Sequence, residues 1–135
     1  MTLWAADTSV VIPLVVASHE AHVEVRRAVG DRALQLPAHA ALESFSVLTR
    51  LPGDARLAPL DAATLLSARF TVVAPMEEVA LGLVDRLGRL GIAGGAVYDA
   101  LIAATATSVG ATLLSRDRRA VATYSQLGTT VELLP

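Results

Sequence analysis

Asp7, Glu43, Asp99 and Asp117 are the residues of this chain whose type and setting point to chemistry. Asp7 ends the apolar run Leu3-Trp4-Ala5-Ala6, and Asp117 follows Ala111-Thr112-Leu113-Leu114-Ser115-Arg116. Asp99 sits inside Ala96-Val97-Tyr98-Asp99-Ala100-Leu101-Ile102-Ala103-Ala104, which is otherwise nearly all apolar. Burying a lone carboxylate is costly, so such a group is paired, neutral or bound to a metal. The chain has no lysine, and its 11 basic residues are all arginine. Several acids gathered without enough cations imply a divalent metal site. The absence of cysteine removes thiolate metal sites, disulfides and a cysteine nucleophile.

Each acid also has an ordinary reading. Asp7, before Thr8-Ser9, suits a helix N-cap, although Thr8 or Ser9 can supply the cap and leave the carboxylate free. Glu43 shares a helical face with His39, Ser46 and Arg50, which by itself describes a solvated polar face. Asp117 suits a strand-to-helix cap, and Ser115 beside it can hydrogen-bond a carboxylate. Asp99 fits least well with a bland role, because its helix is predicted to be buried on most sides. Arg116, Arg118 and Arg119 cluster beside Asp117, where they can meet phosphate groups. His19, His22 and His39 form no convincing ligand set. Tyr124 and Trp4 read as packing residues rather than base-stacking platforms. No phosphate-cradling glycine motif is present.

The elements that must position these acids alternate between short apolar strands and longer helices. Strands are predicted at 2–6, 34–36, 71–73, 111–115 and 130–134. Helices are predicted at 9–18, with Pro13 near its first turn, and at 20–29, 38–50, 61–68, 76–90, 96–109 and 117–123, with a loop over 52–59. This order argues an α/β fold, a parallel sheet of four to five short strands with helices on both faces. Sites in such sheets form at the carboxyl ends of strands, where Asp7 and Asp117 fall.

The 135 residues suit one domain over 1–135, large enough to fold without staples. The composition is 53% hydrophobic and only 4% aromatic, so Ala, Val and Leu must build the core. A net charge of −2 rules out holding nucleic acid by bulk charge alone and leaves local arginines to do it. The first residues lack the pattern of a secretory signal, and the run from Val10 to Ala17 is too short for a bilayer, so a cytoplasmic protein with no membrane partner is expected.

The four acids in this order, with Asp7-Thr8-Ser9, Glu43 in Ala41-Leu42-Glu43-Ser44-Phe45, Asp99 in Val97-Tyr98-Asp99-Ala100-Leu101 and Asp117 in Ser115-Arg116-Asp117, resemble the PIN-domain ribonucleases. Among these they resemble the VapC-type toxins of toxin–antitoxin pairs, over essentially the whole chain. The resemblance implies a Mg²⁺- or Mn²⁺-dependent endoribonuclease. Asp7, Asp99 and Asp117 would hold metal, and Glu43 would hold a second ion or orient the attacking water. Thr8, Ser9 and Ser115 would support the acids, and Arg50, Arg116, Arg118 or Arg119 would meet RNA. It implies a homodimer and a cognate antitoxin. Competing readings are a catalytically silent PIN-like binding or assembly module, cleavage of single-stranded DNA, and an aspartyl phosphatase, which lacks its second acid here.

Overall fold

The computed structural model describes residues 1–135. Five strands and seven α-helices alternate: β1 (Leu3–Ala6), α1 (Thr8–Val15), α2 (His22–Val29), β2 (Leu34–Pro37), α3 (Ala38–Leu48), α4 (Pro59–Arg69), β3 (Thr71–Val73), α5 (Glu77–Leu90), α6 (Ala96–Ser108), β4 (Ala111–Ser115), α7 (Val121–Gln126) and β5 (Val131–Leu133). A single turn of 3₁₀-helix at Gly53–Ala55 interrupts the expected loop before α4.

All five strands are parallel, in the order β3-β2-β1-β4-β5. The chain therefore winds outward from β1 to β3, returns across the sheet to β4, and winds the other way. Right-handed crossovers running in opposite directions put helices on both faces. The reversal leaves a crevice between β1 and β4, the place where open α/β sheets bind ligands. Register makes these two ends level: Ala6 pairs with Leu114, and the Asp7 amide continues the ladder by donating to the Leu114 carbonyl at 3.2 Å.

One core of 30 buried apolar residues runs through the sheet and its helices. It is built of Ala, Val and Leu, with fully buried Val10, Val11, Leu36, Leu113 and Leu114 filling the space that aromatic rings fill elsewhere. Small residues let elements approach closely. Along α6, Ala100, Ala103, Ala104 and Ala106 are all buried, and this helix packs against β4, α3, α5 and α7. Gly110 turns the chain from α6 into β4 at φ 73°, a left-handed conformation that penalises any residue with a Cβ.

Three elements depart from expectation. Pro13 lies in the second turn of α1, where its missing amide leaves the Ser9 carbonyl without a helical donor. α3 ends at Leu48, where the Thr49 amide and hydroxyl both donate to the Phe45 carbonyl, at 3.1 and 2.8 Å, so Arg50 lies past the helix. α7 begins at Val121 rather than 117. The Asp117 side chain accepts the Arg119 amide at 3.0 Å and its carbonyl accepts that of Ala120 at 3.2 Å, which holds 117–120 as a turn.

Candidate active site

Asp7 is the anchor. It is 3% exposed, and its carboxylate accepts four hydrogen bonds. Oδ1 takes the Ser9 amide at 3.0 Å and the Ser9 hydroxyl at 2.5 Å. Oδ2 takes the Ser115 hydroxyl at 2.5 Å and the Tyr124 hydroxyl at 2.8 Å. Asp7 is thus the N-cap of α1 itself, and the hydroxyl expected to replace it serves it instead. The two serines also stitch β1 to the end of β4. Ser9 Oγ accepts the Arg116 amide at 2.8 Å, and Ser115 Oγ accepts the Asp117 amide at 3.0 Å. Four donors replace the water that a buried carboxylate loses.

Tyr124 was assigned by sequence only to packing. It does pack, at 1% exposed, but its hydroxyl is also a direct partner of Asp7. Burial comes first and the Asp7 charge second in pushing this phenol far above its ordinary value, so it stays a donor. No local signal could have found it, since 117 residues separate the pair.

The helices bring the other acids. Glu43 projects from α3, with Oε1 accepting the Thr8 hydroxyl at 3.1 Å and Oε2 lying 3.9 Å from His39 Nε2. Asp99 projects from the first turn of α6, which packs on α3. Asp117 follows β4, and its nearest cation is the Arg119 Nε at 3.7 Å, on a side chain 96% exposed. Asp7, Glu43, Asp99 and Asp117 line one pocket of about 110 Å³ together with Thr8, Ser9, Ile102 and Tyr124. Ser115 lies behind it, fully buried. Asp99 is half-buried rather than enclosed. Its carboxyl is raised above the usual aspartate value, by desolvation first and then by the charges of Asp117, Glu43 and Asp7, with His39 opposing. No arginine pairs with Asp7, Asp99 or Glu43.

A larger groove of about 580 Å³ opens beside this pocket and shares Thr8, Ser9 and Asp117 with it. Its other walls are Ile12, Pro13, His19, Arg116, Arg118 and Arg119. His19 lines this groove, and its Nδ1 accepts the Ala21 amide at 3.0 Å. The Arg116 Nε donates to the Pro135 carbonyl at 2.9 Å, whereas Arg118 and Arg119 are exposed. Arg50 lines neither cavity.

The PIN-domain family model matches residues 5–125. The chain belongs to the PIN-domain family. Within it the chain falls among the VapC-type ribonucleases. It is 47% identical over 125 residues to Ribonuclease VapC27 of Mycobacterium tuberculosis, covering 92% of this chain and 91% of the relative. It is 43% identical to Ribonuclease VapC40 of the same species, covering 96% and 98%. Among solved structures, the Mycobacterium tuberculosis toxin VapC20, described as cleaving the sarcin-ricin loop, matches with a TM-score of 0.69 at 22% identity, covering 96% of this chain and 98% of that one. VapBC-1 from nontypeable Haemophilus influenzae matches with a TM-score of 0.68 at 18% identity, covering 98% of each. These two likenesses speak to the fold.

The donor chemistry of the pocket suits a hard divalent ion: carboxylate and hydroxyl oxygens, no thiolate, and excess negative charge. As the side chains stand, no three acidic or histidine groups close around a single point. Mg²⁺ ordinarily keeps several waters and takes only one or two carboxylates directly, so an open arrangement is compatible with its demands.

Proposed function

We propose that this chain is the endoribonuclease toxin of a toxin–antitoxin pair, and that it hydrolyses RNA phosphodiester bonds with Mg²⁺ or Mn²⁺ held by Asp7, Asp99, Asp117 and Glu43. The observation that carries this reading is the convergence of four carboxylates from four separate chain segments on one pocket where only Asp117 has an arginine near it, the exposed Arg119 at 3.7 Å. Structural ion pairs balance their charges, whereas this pocket leaves excess negative charge for a cation to satisfy. The names of the curated relatives, both ribonucleases, support the reaction class.

A bound divalent ion supplies positive charge against the phosphate and acidifies water. The protein's own residues do the positioning. Asp7 is held rigid by Ser9, Ser115 and Tyr124, so it sets the floor of the site. Glu43, steadied by Thr8, faces the pocket from the helical side and orients the attacking water. Asp99 and Asp117, with fewer hydrogen bonds of their own, keep lone pairs free for a cation. Arg118 and Arg119 in the neighbouring groove contact the RNA backbone as it leaves the pocket.

An antitoxin partner is proposed because several of the matched structures are toxin–antitoxin complexes. A homodimer is proposed as well, supported by the large apolar side chains that α3 and α5 leave in solvent: Leu42, Leu81 and Val84. A monomer in size-exclusion chromatography at micromolar concentration counts against the dimer.

The deciding experiment is incubation of total RNA with the purified chain in Mg²⁺, Mn²⁺ or EDTA, beside Asp99→Asn. Discrete fragments that require metal and vanish in the variant are the expected result. Intact RNA under every metal, from folded protein, favours the silent binding module, the reading to which the fully engaged Asp7 carboxylate lends support.

A further inference from the structure

Residues 16–21 join α1 to α2, and His19 stands within that connection. Its backbone is held on both sides: its amide donates to the Val16 carbonyl at 3.0 Å, and its carbonyl accepts the His22 amide at 3.0 Å. Its ring is held as well, because Nδ1 accepts the Ala21 amide at 3.0 Å. A ring nitrogen that accepts an amide proton carries none of its own, so the neutral imidazole has its proton on Nε2. His22, the first residue of α2, is the opposite case. Its partner is the Pro13 carbonyl, which only accepts, so Nδ1 is the donor there, at 2.8 Å. That bond ties α2 to α1 and braces the connection that carries His19.

The ordinary role for His19 is to cap α2, since Ala21, whose amide it takes, is the residue before the helix. Capping uses Nδ1 alone. Nε2 has no hydrogen-bond partner in the chain, and the half-buried residue lines the groove beside the acidic pocket. Other polar groups of that groove are already engaged. Ser9 Oγ donates to Asp7 and accepts the Arg116 amide, the Thr8 hydroxyl donates to Glu43, and Arg116 Nε donates to the Pro135 carbonyl. The groups left to meet a ligand are the exposed guanidinium groups of Arg118 and Arg119 and the His19 Nε2–H. All three are donors, and phosphate oxygens are acceptors. The groove shares Thr8, Ser9 and Asp117 with the acidic pocket, so a strand cut in the pocket can continue into it.

The arginines and the imidazole act differently on such a strand. Guanidinium charge attracts phosphate over a distance and is screened by salt. A neutral N–H acts only at hydrogen-bond distance and along one direction, and a ring pinned through its other nitrogen presents it from one place. We infer that His19 is a direct contact to the RNA backbone: its Nε2–H donates to an oxygen of a phosphate near the cleaved bond and so sets where along the strand the acids act. This rests on the ribonuclease reading and adds a positioning contact to it.

The test compares two substitutions in the full chain. In His19→Asn the side-chain carbonyl can still take the Ala21 amide, but the distal donor is gone. In His19→Gln an amide N–H stands near the place of Nε2. Fluorescence anisotropy of a fluorescein-labelled single-stranded RNA dodecamer, in Ca²⁺ over a series of salt concentrations, reports affinity. Total RNA in Mg²⁺ or Mn²⁺ reports cleavage. His19→Asn is expected to bind roughly tenfold more weakly, as the loss of a hydrogen bond to a charged group predicts. Its salt slope and Tm should match wild type, and its cleavage should recover at saturating RNA. His19→Gln is expected to keep most of the affinity.

Wild-type affinity in His19→Asn overturns the contact. An equal loss in both variants with a lowered Tm overturns it too, and reduces His19 to the cap of α2. A flatter salt slope in His19→Asn overturns the neutral donor in favour of a charged one. Metal-dependent cleavage by wild type that His19→Asn leaves unchanged sinks the contact and leaves the ribonuclease standing. The expected pattern of binding without cleavage under any metal does the reverse. An RNA that is neither bound nor cut sinks both.

Discussion

The two sides of the acidic pocket are built on different physics. On the sheet side, Asp7 is buried and receives four hydrogen bonds from Ser9, Ser115 and Tyr124. On the helical side, Asp99 is half-buried, is paired with no cation, and is pushed toward its neutral form by burial and by the three neighbouring carboxylates. One acid is part of the fold's framework. The other is a charge that the fold tolerates at a cost. The contrast indicates which acids a substitution will unfold and which it will relax.

The sharpest way to break the comparison is Asp7→Ala. It strands several buried donors and cuts the stitch between β1 and β4, so a loss of about 3 kcal/mol is expected, or roughly 10 °C in Tm. A Tm equal to wild type in a calorimetric scan would mean the framework role is wrong. Relief of acid–acid repulsion on neutralisation is thus expected for Asp99 and not for Asp7.

Next in size are the donors. Ser115→Ala removes one hydrogen bond to Asp7 and leaves the Asp117 amide unmatched, while Tyr124→Phe removes one bond and keeps the ring in the core. Each is expected to cost about 1–2 kcal/mol in urea unfolding. Combined with Asp7→Ala, neither is expected to add its full cost, because the partner has already gone. Full additivity would deny the network.

Asp99→Asn is expected to act in the opposite sense, raising Tm by about 2 °C at pH 7 without metal while abolishing cleavage. The sign follows from linkage. The Asp99 carboxyl is raised in the folded state, so between the ordinary aspartate value of 3.8 and the raised one the folded chain binds the extra proton. Stability from this group therefore falls as pH rises through that window and is lowest above it. The gain from Asp99→Asn should shrink as pH falls toward 4, and a gain independent of pH would assign it to packing. Smallest of all, Arg118→Ala with Arg119→Ala is expected to leave Tm within about 0.5 kcal/mol equivalent, since both side chains are exposed. The salt dependence of RNA binding should become shallower.

The ease of reading varied along the chain in the same way. Elements built on local signals were legible: β4 at Ala111–Ser115 and the stops at Gly30, Gly91 and Gly110 fall where apolar runs and glycines placed them. The start of α7 was not, because the Asp117 carboxylate takes the Arg119 amide and holds 117–120 as a turn. Sequence also placed Asp99 on a helix buried on most sides, and missed that its neighbour Tyr98 stands at the surface.

What the amino-acid sequence determined by itself is the character of the cluster: acids embedded in or ending apolar runs, in a chain with no lysine to pair with them and no cysteine. The alternation of strand and helix determined that Asp7 and Asp117 end strands. Only the tertiary structure decided that β1 and β4 are neighbours at the reversal of the sheet, in a register that sets Asp7 against Ser115. Only it decided which hydroxyls serve Asp7 and which ring stands open beside Asp99. Those outcomes depend on contacts between residues as far as 117 positions apart, where spacing along the chain carries no information about distance in space.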